Sequence, residues 1–384
     1  MSGEEADPLY KANNETWRKI RKLAHSLLNI TVARKYVPYQ DLESKALLMG
    51  LLEDPGDFFN HIRRYSTSLT LQMAFGSRTP TRNDQNLLEM FQIFEKFSEI
   101  SLSPPCACID LLRLQDKEDF SDDLTCYTSG SFLQAGSETT ANVLMGFTQA
   151  MVVFPEVARQ AQAEIDQVCG NRLPDLNDVP DLPYIRSCIK ESLRWMPVAP
   201  LAVPHAVTRD DYYQGYLIPQ GAEVVLNVWA ISQDPRRHLD PRVFNPGRWA
   251  GNNENSMDSA ASADIAKRDH FIFGAGRRIC QGMHIADRSL FLAISRTLWA
   301  FDFKRVVDPE AKQELVPDTD DLVDGMFIRP NSFKADIVPR NEARASQVRE
   351  EWAKATELLD ENMQWKIVPE GLIWKDYEAV ENSG

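Results

Sequence analysis

The stretch Asp269–Gly282, DHFIFGAGRRICQG, sets one cysteine, Cys280, in a glycine-rich loop. Gly274, Gly276 and Gly282 allow backbone positions and close approaches that a side chain forbids. Phe273, seven positions upstream, can cover the sulfur with an apolar face, and Arg277 and Arg278 supply positive charge that favours a thiolate over a thiol. The run from Gly282, GMHIADRSLFLAISRTLWA, reads as a helix, so a positive dipole end falls just after the cysteine. A thiolate held this way suits a metal better than a disulfide.

Two other readings compete. GAGRRI could open a dinucleotide loop, but the third glycine of that fingerprint falls on Ile279. A free cysteine is also often simply buried. Neither accounts for Phe273, Gly274, Gly276, Arg278, Cys280 and Gly282 occurring together. F-G-x-G-x-R-x-C-x-G resembles the haem-binding signature of the cytochrome P450 family, the haem-thiolate monooxygenases. The resemblance implies that Cys280 is the axial ligand of a haem b iron, with Phe273, Gly274 and Arg278 against the cofactor; such a thiolate favours O–O cleavage.

Composition agrees with a large enzyme domain. The chain has 384 residues and an apolar content of 43%, ordinary for a soluble protein. Its net charge of −14 argues against nucleic acid as the main partner. The six cysteines follow neither a disulfide framework nor zinc spacing, which points to a reducing compartment. No apolar run is long enough to span a bilayer and the start, MSGEEADPLYKANNE, is polar and acidic, so neither a transmembrane anchor nor a signal peptide is expected.

Along the chain, Glu15–Asn29 has Trp17, Ile20, Leu23, Ala24, Leu27 and Leu28 at helical spacing, with Arg18, Lys19, Arg21 and Lys22 on the other faces. Two helices are expected within 40–76 and an amphipathic one over 84–100, followed by a short connection to a long helix from Ser121. That helix carries AGSETT at 135–140, where Gly136 lets a helix yield and Glu138 stands beside Thr139. A polar group inside an apolar helix needs partners or a task, and a threonine bonding back to its own helix is the lesser of the two readings. Glu191 and Arg194 lie three apart on the helix Pro183–Trp195 and can pair. Residues 203–231 alternate like short strands, giving a small β-sheet. The segment after 340 reads as an acidic helix, a surface appendage.

These features fit the same resemblance. W-x-x-x-R at Trp17 and Arg21, together with His205 and Arg278, would hold the haem propionates. AGSETT resembles the oxygen-side wall of the pocket, with Thr139 bonding bound oxygen and Glu138 relaying protons. Glu191, Arg194 and Arg248 of FNPGRW resemble a structural triad that fixes the cysteine loop. The expected fold is mainly α with a small β region, the P450 fold in an incomplete form: a haem-thiolate domain over 1–340 and an acidic helical extension over 341–384. The implied activity is hydroxylation of a small apolar molecule in fungal secondary metabolism, dependent on O₂ and NADPH-cytochrome P450 reductase. Outward basic residues of the Trp17 helix would face that donor. The likeness is to fungal microsomal class II members, so the endoplasmic reticulum surface is implied for the family and the cytoplasm for a chain without an anchor. Two regions of the family pattern are missing, an N-terminal helix-and-strand region and the roof helices expected at Ile100–Ser101. They motivate an alternative, a truncated haem-binding remnant without turnover.

Overall fold

The computed structural model describes residues 14–84, 115, 117–118, 120–252, 254, 256–264 and 268–369. The helix expected over 84–100, apart from Asp84, and most of the connection at 101–119, with Cys106 and Cys108, lie outside them. The chain divides into two compact units. The first holds Met1–Ala141, His284–Leu292 and Pro339–Gly384, the second Asn142–Met283 and Ala293–Val338.

Helix signals in the sequence place the main elements. In α1 (Glu15–Leu28), Asn14 Oδ1 accepts the Trp17 amide at 2.8 Å and Glu15 stands in the first turn, while Trp17, Ile20, Ala24 and Leu27 form the buried stripe. α2 (Val37–Glu53) and α3 (Phe58–Phe75) follow, the latter stopped by Gly76 in the left-handed region. α4 (Asp122–Val153) starts at Ser121, whose Oγ accepts the Leu124 amide at 3.2 Å. α5 (Pro155–Cys169) takes proline in its first turn. α6 (Pro183–Trp195), α7 (Met283–Ala300) and α8 (Glu342–Thr356) complete the long helices described. No single helix among the described residues is long and apolar enough to cross a membrane.

In the first unit, α2 and α3 enclose a charged core. Glu43 is fully buried and accepts from Arg64 Nη1 at 2.5 Å, Arg78 Nε at 2.5 Å and Gln72 Nε2 at 2.8 Å. Burial alone would raise its carboxyl, but the two guanidiniums outweigh it and hold Glu43 below the usual carboxylate range.

The segment after 340 is not a surface appendage. Leu42 packs with Ala355 and Leu359, and Trp365 packs against the Tyr36–Tyr39 cluster. Arg78 donates to the Met363 carbonyl at 2.9 Å and exchanges backbone bonds with the Gln364 side chain at 2.7 and 2.9 Å. Acidic composition hid this packing, because only one face of α8 is apolar.

In the second unit, Phe147, Phe154, Trp195 and Phe244 form an aromatic cluster with ring centroids 5.7–6.5 Å apart. The expected small sheet is instead two separate antiparallel pairs: His205–Ala206 with Glu223–Val224, and the hairpin Asp211–Tyr213 with Tyr216–Ile218. Two-residue strands such as 205–206 are too short to recruit further partners.

Candidate active site

The cysteine loop is closed by its own backbone. The Cys280 amide donates to the Phe273 carbonyl at 2.8 Å, and the Gly274 amide to Phe271 at 2.9 Å. Gly274 (φ +74°) and Gly276 (φ +62°) take left-handed conformations that an L side chain would strain. α7 begins after Gly282, where an added Cβ would lie 3.9 Å from Cys280 Sγ, so the sulfur sits at the helix start, where the dipole favours negative charge. Cys280 is half-buried and takes part in no disulfide. Cys169 and Cys188 are buried in α5 and α6, and burial pushes both thiols up, Cys169 to about 11. They are protonated, inert core groups. Partial burial pulls the Arg278 guanidinium down, a setting that rewards an anionic partner.

Two ionic braces are anchored on α6. Glu191, fully buried, accepts Arg194 Nη2 at 2.8 Å and Nε at 2.9 Å, Arg248 Nε at 3.2 Å, the Asn245 amide at 2.8 Å and the Trp249 indole at 3.1 Å. Arg194 reaches the Ser232 carbonyl at 2.9 Å, and Arg248 the carbonyls of Leu239, Asp240 and Val243. The expected triad therefore forms, with Asn245, Trp249 and Ser232 added. No spacing rule reveals these three, although the first two lie within FNPGRW. The second brace, an ion pair of Lys190 and Asp269 at 2.8 Å, ties α6 to the start of the cysteine stretch. Asn252 Nδ2 and Ser259 Oγ also bond Asp269, through its side chain and amide at 2.9 and 2.7 Å. His270 packs edge-on to Phe273 at 5.5 Å, with neither ring nitrogen hydrogen-bonded among the described residues. Burial pushes its imidazole down to about 4.

The second unit thus brings Cys280, Phe273, Gly274 and Arg278 together in one loop. His205 lies on an exposed strand paired with Val224. The first unit carries Trp17, Arg21, Glu138 and Thr139. Arg21 lies 5.9 Å over the buried Trp17 ring. Lys19 is tied to Glu118 at 2.5 Å and Glu15 at 3.1 Å, and Arg18 and Lys22 are exposed on the same helix. On α4, Thr139 Oγ1 donates to the Ala135 carbonyl at 2.7 Å, the back-bonded geometry of an unengaged helical threonine. Gly136 serves packing: a Cβ there would lie 2.7 Å from Thr70 Oγ1 and 2.8 Å from its Cγ2.

A cytochrome P450 family model matches residues 101–324. The chain belongs to the cytochrome P450 family. It is 56% identical to cytochrome P450 monooxygenase virE of Hypocrea virens, covering 98% of this chain and 78% of that relative. With monooxygenase fogE of Aspergillus ruber the identity is 52%, over 97% of this chain and 79% of the relative. A zebra fish cytochrome P450 solved with abiraterone has a TM-score of 0.69 at 24% identity, covering 88% of this chain and 85% of its own, a likeness of fold alone. The alignment with virE runs over 428 positions whereas this P450 has 384 residues, so at least 44 of them have no counterpart here. The family match begins at residue 101, where the roof helices are expected.

This P450 is an oxidoreductase of the monooxygenase type. Its family implies a haem, a small organic substrate and a redox partner. The cysteine loop fits that cofactor. No group of three or more His, Cys, Asp or Glu side chains among the described residues could hold a bare metal ion. A single accessible sulfur in a glycine cradle suits an iron whose in-plane ligands come from a porphyrin.

Proposed function

We propose that this P450 is a haem b-thiolate monooxygenase of fungal secondary metabolism, oxidising a small apolar molecule such as a polyketide or terpenoid. Its electrons come from NADPH through cytochrome P450 reductase. The haem-thiolate domain spans 1–340, with 341–384 as its C-terminal extension. The observation that carries this reading is the half-buried Cys280 in its closed loop beside a helix start. When bound, the haem supplies dioxygen activation: one oxygen atom enters the substrate and the other leaves as water, at the expense of two electrons and two protons.

The chain's own residues hold and protonate. Cys280 Sγ binds as the anion that the helix start and Arg278 favour. Arg278, His205, Arg21 and the Trp17 indole would hold the propionate carboxylates, and Phe273 and Gly274 would line the cofactor's thiolate side. Thr139 Oγ1, released from the Ala135 carbonyl, holds a proton at the oxygen site, and the Glu138 carboxylate passes protons inward. Arg18 and Lys22 face an acidic electron donor, which speeds encounter. Reconstitution with haem and a reduced carbon-monoxide difference spectrum test this directly. The expected result is a red-shifted Soret band that Cys280→Ala abolishes; the same band in the variant would refute the ligand. A second reading, a haem-binding remnant without turnover, rests on the 44 or more absent positions. It predicts the thiolate spectrum without NADPH consumption in the presence of reductase.

A further inference from the structure

Ser66 lies on α3, 70 residues before Gly136 in the sequence and in no motif of its own. It is 1% exposed, and its Oγ donates to the Gly136 carbonyl of α4 at 2.9 Å. One turn further on α3, Thr70 fills the space above Gly136 and spends its own hydroxyl on the Ser66 carbonyl at 2.9 Å. On α4 the neighbouring carbonyl, that of Ala135, accepts the Thr139 hydroxyl at 2.7 Å. Two consecutive carbonyls are therefore each taken by a hydroxyl, one from the helix itself and one from across the packing interface.

The two bonds differ in consequence. Thr139 can serve a ligand only by letting go of Ala135, and that release removes one of the contacts holding this turn. The bond from Ser66 stays, because Ser66 is buried and sits on a separate helix. We infer that Ser66 is a positioning residue: its bond to the Gly136 carbonyl fixes the 135–139 turn while the Thr139 hydroxyl exchanges between Ala135 and the oxygen site. This rests on the reading of Thr139 given above.

Two measurements on the full chain test the inference. The first is amide hydrogen exchange across 133–142, which needs neither haem nor turnover. Ser66→Ala should speed it roughly five- to tenfold, the loss expected for one hydrogen bond. The second is peroxide released per NADPH by the haem-loaded protein with reductase and oxygen. In peroxide release both oxygen atoms leave together, taking two electrons and two protons. Ser66→Ala should raise that ratio several-fold at unchanged melting temperature and unchanged carbon-monoxide spectrum, and Ser66→Thr should restore it. A purely structural serine would leave the ratio unchanged at constant stability. Should Ser66→Ala fail to fold, Ser66→Cys keeps the volume with a weak donor and serves in both measurements. Wild-type exchange or a wild-type ratio in these variants, alongside a raised ratio in Thr139→Ala, overturns the role of Ser66. A wild-type ratio in Thr139→Ala overturns the reading beneath it.

Discussion

Each unit of this P450 is built around a buried glutamate clamped by two arginines, but the two clusters are satisfied differently. Glu191 takes five donors, two of them from the backbone of Asn245 and the indole of Trp249, and its arginines spend their remaining nitrogens on the carbonyls of Ser232, Leu239, Asp240 and Val243. Glu43 takes donors only from side chains, and Arg78 Nη2 has no hydrogen-bond partner among the described residues. The remaining bonds of Arg78 come from Met363 and Gln364, close to the end of the described chain. A buried ion cluster gives specificity only when its lone pairs and protons are all used. The first cluster is self-sufficient within its unit's loops, whereas the second depends on a segment that joins it last in chain order.

Removing either glutamate gives the largest effects. Glu191→Ala leaves the fully buried Arg194 as an uncompensated charge and frees the partly buried Arg248, a loss of about 3–5 kcal/mol, enough to abolish most soluble folded protein. Glu43→Ala is expected to cost a similar amount through Arg64 and Arg78. Thermal denaturation followed by circular dichroism measures both. If Glu43→Ala melted within a few degrees of the parent while Glu191→Ala did not fold, the two clusters would not be equivalent.

The same pair shows what the sequence could and could not reveal. Glu191 and Arg194 are three apart on one helix face, so helical spacing alone brings them together, and Arg248 follows from the family pattern. Glu43, Arg64 and Arg78 are 21 and 35 residues from the first member and belong to no motif; only the packing of α2 on α3 makes them neighbours. The cysteine loop was legible for a similar reason, since glycine positions and the helix start act locally. Ser66 was not, because its partner Gly136 is 70 residues away and a serine within a helix usually bonds back to its own turn. The C-terminal segment was misread because its charged face outnumbers the stripe formed by Ala345, Val348 and Ala355.

Acid sharpens the contrast on the side of the cysteine loop. His270 is fully buried with its imidazole pushed down to about 4, first by desolvation and then by the Lys190 charge, with Asp269 opposing. Its folded value lies below the unfolded value of about 6.5, so the unfolded chain binds more protons between these limits. Stability contributed by the neutral ring is complete above about pH 6.5 and is lost as pH falls towards 4, by roughly 3 kcal/mol. His270→Phe, which keeps an aromatic ring beside Phe273, should flatten the melting temperature across that range. An unchanged pH profile would show that other groups govern the acid response.

The smallest expected effect lies in the C-terminal segment and decides whether it completes the Glu43 cluster or only rests on it. Gln364→Ala removes one acceptor for the Arg78 amide and one donor to the Arg78 carbonyl without touching the ion pairs. The loss should be about 1–2 kcal/mol, two ordinary hydrogen bonds partly offset by solvent. Trp365→Ala is the companion, since its indole donates to Gln72 Oε1 at 2.7 Å, and Gln72 in turn donates to Glu43. Combining Gln364→Ala with Glu43→Gln forms a double-mutant cycle. If the segment is part of the cluster, the two losses will not add, because Arg78 has already lost its fixed position when either partner is gone. Strict additivity would mean that the segment packs on α2 independently, and that the Glu43 cluster holds Arg78 without help from the end of the chain.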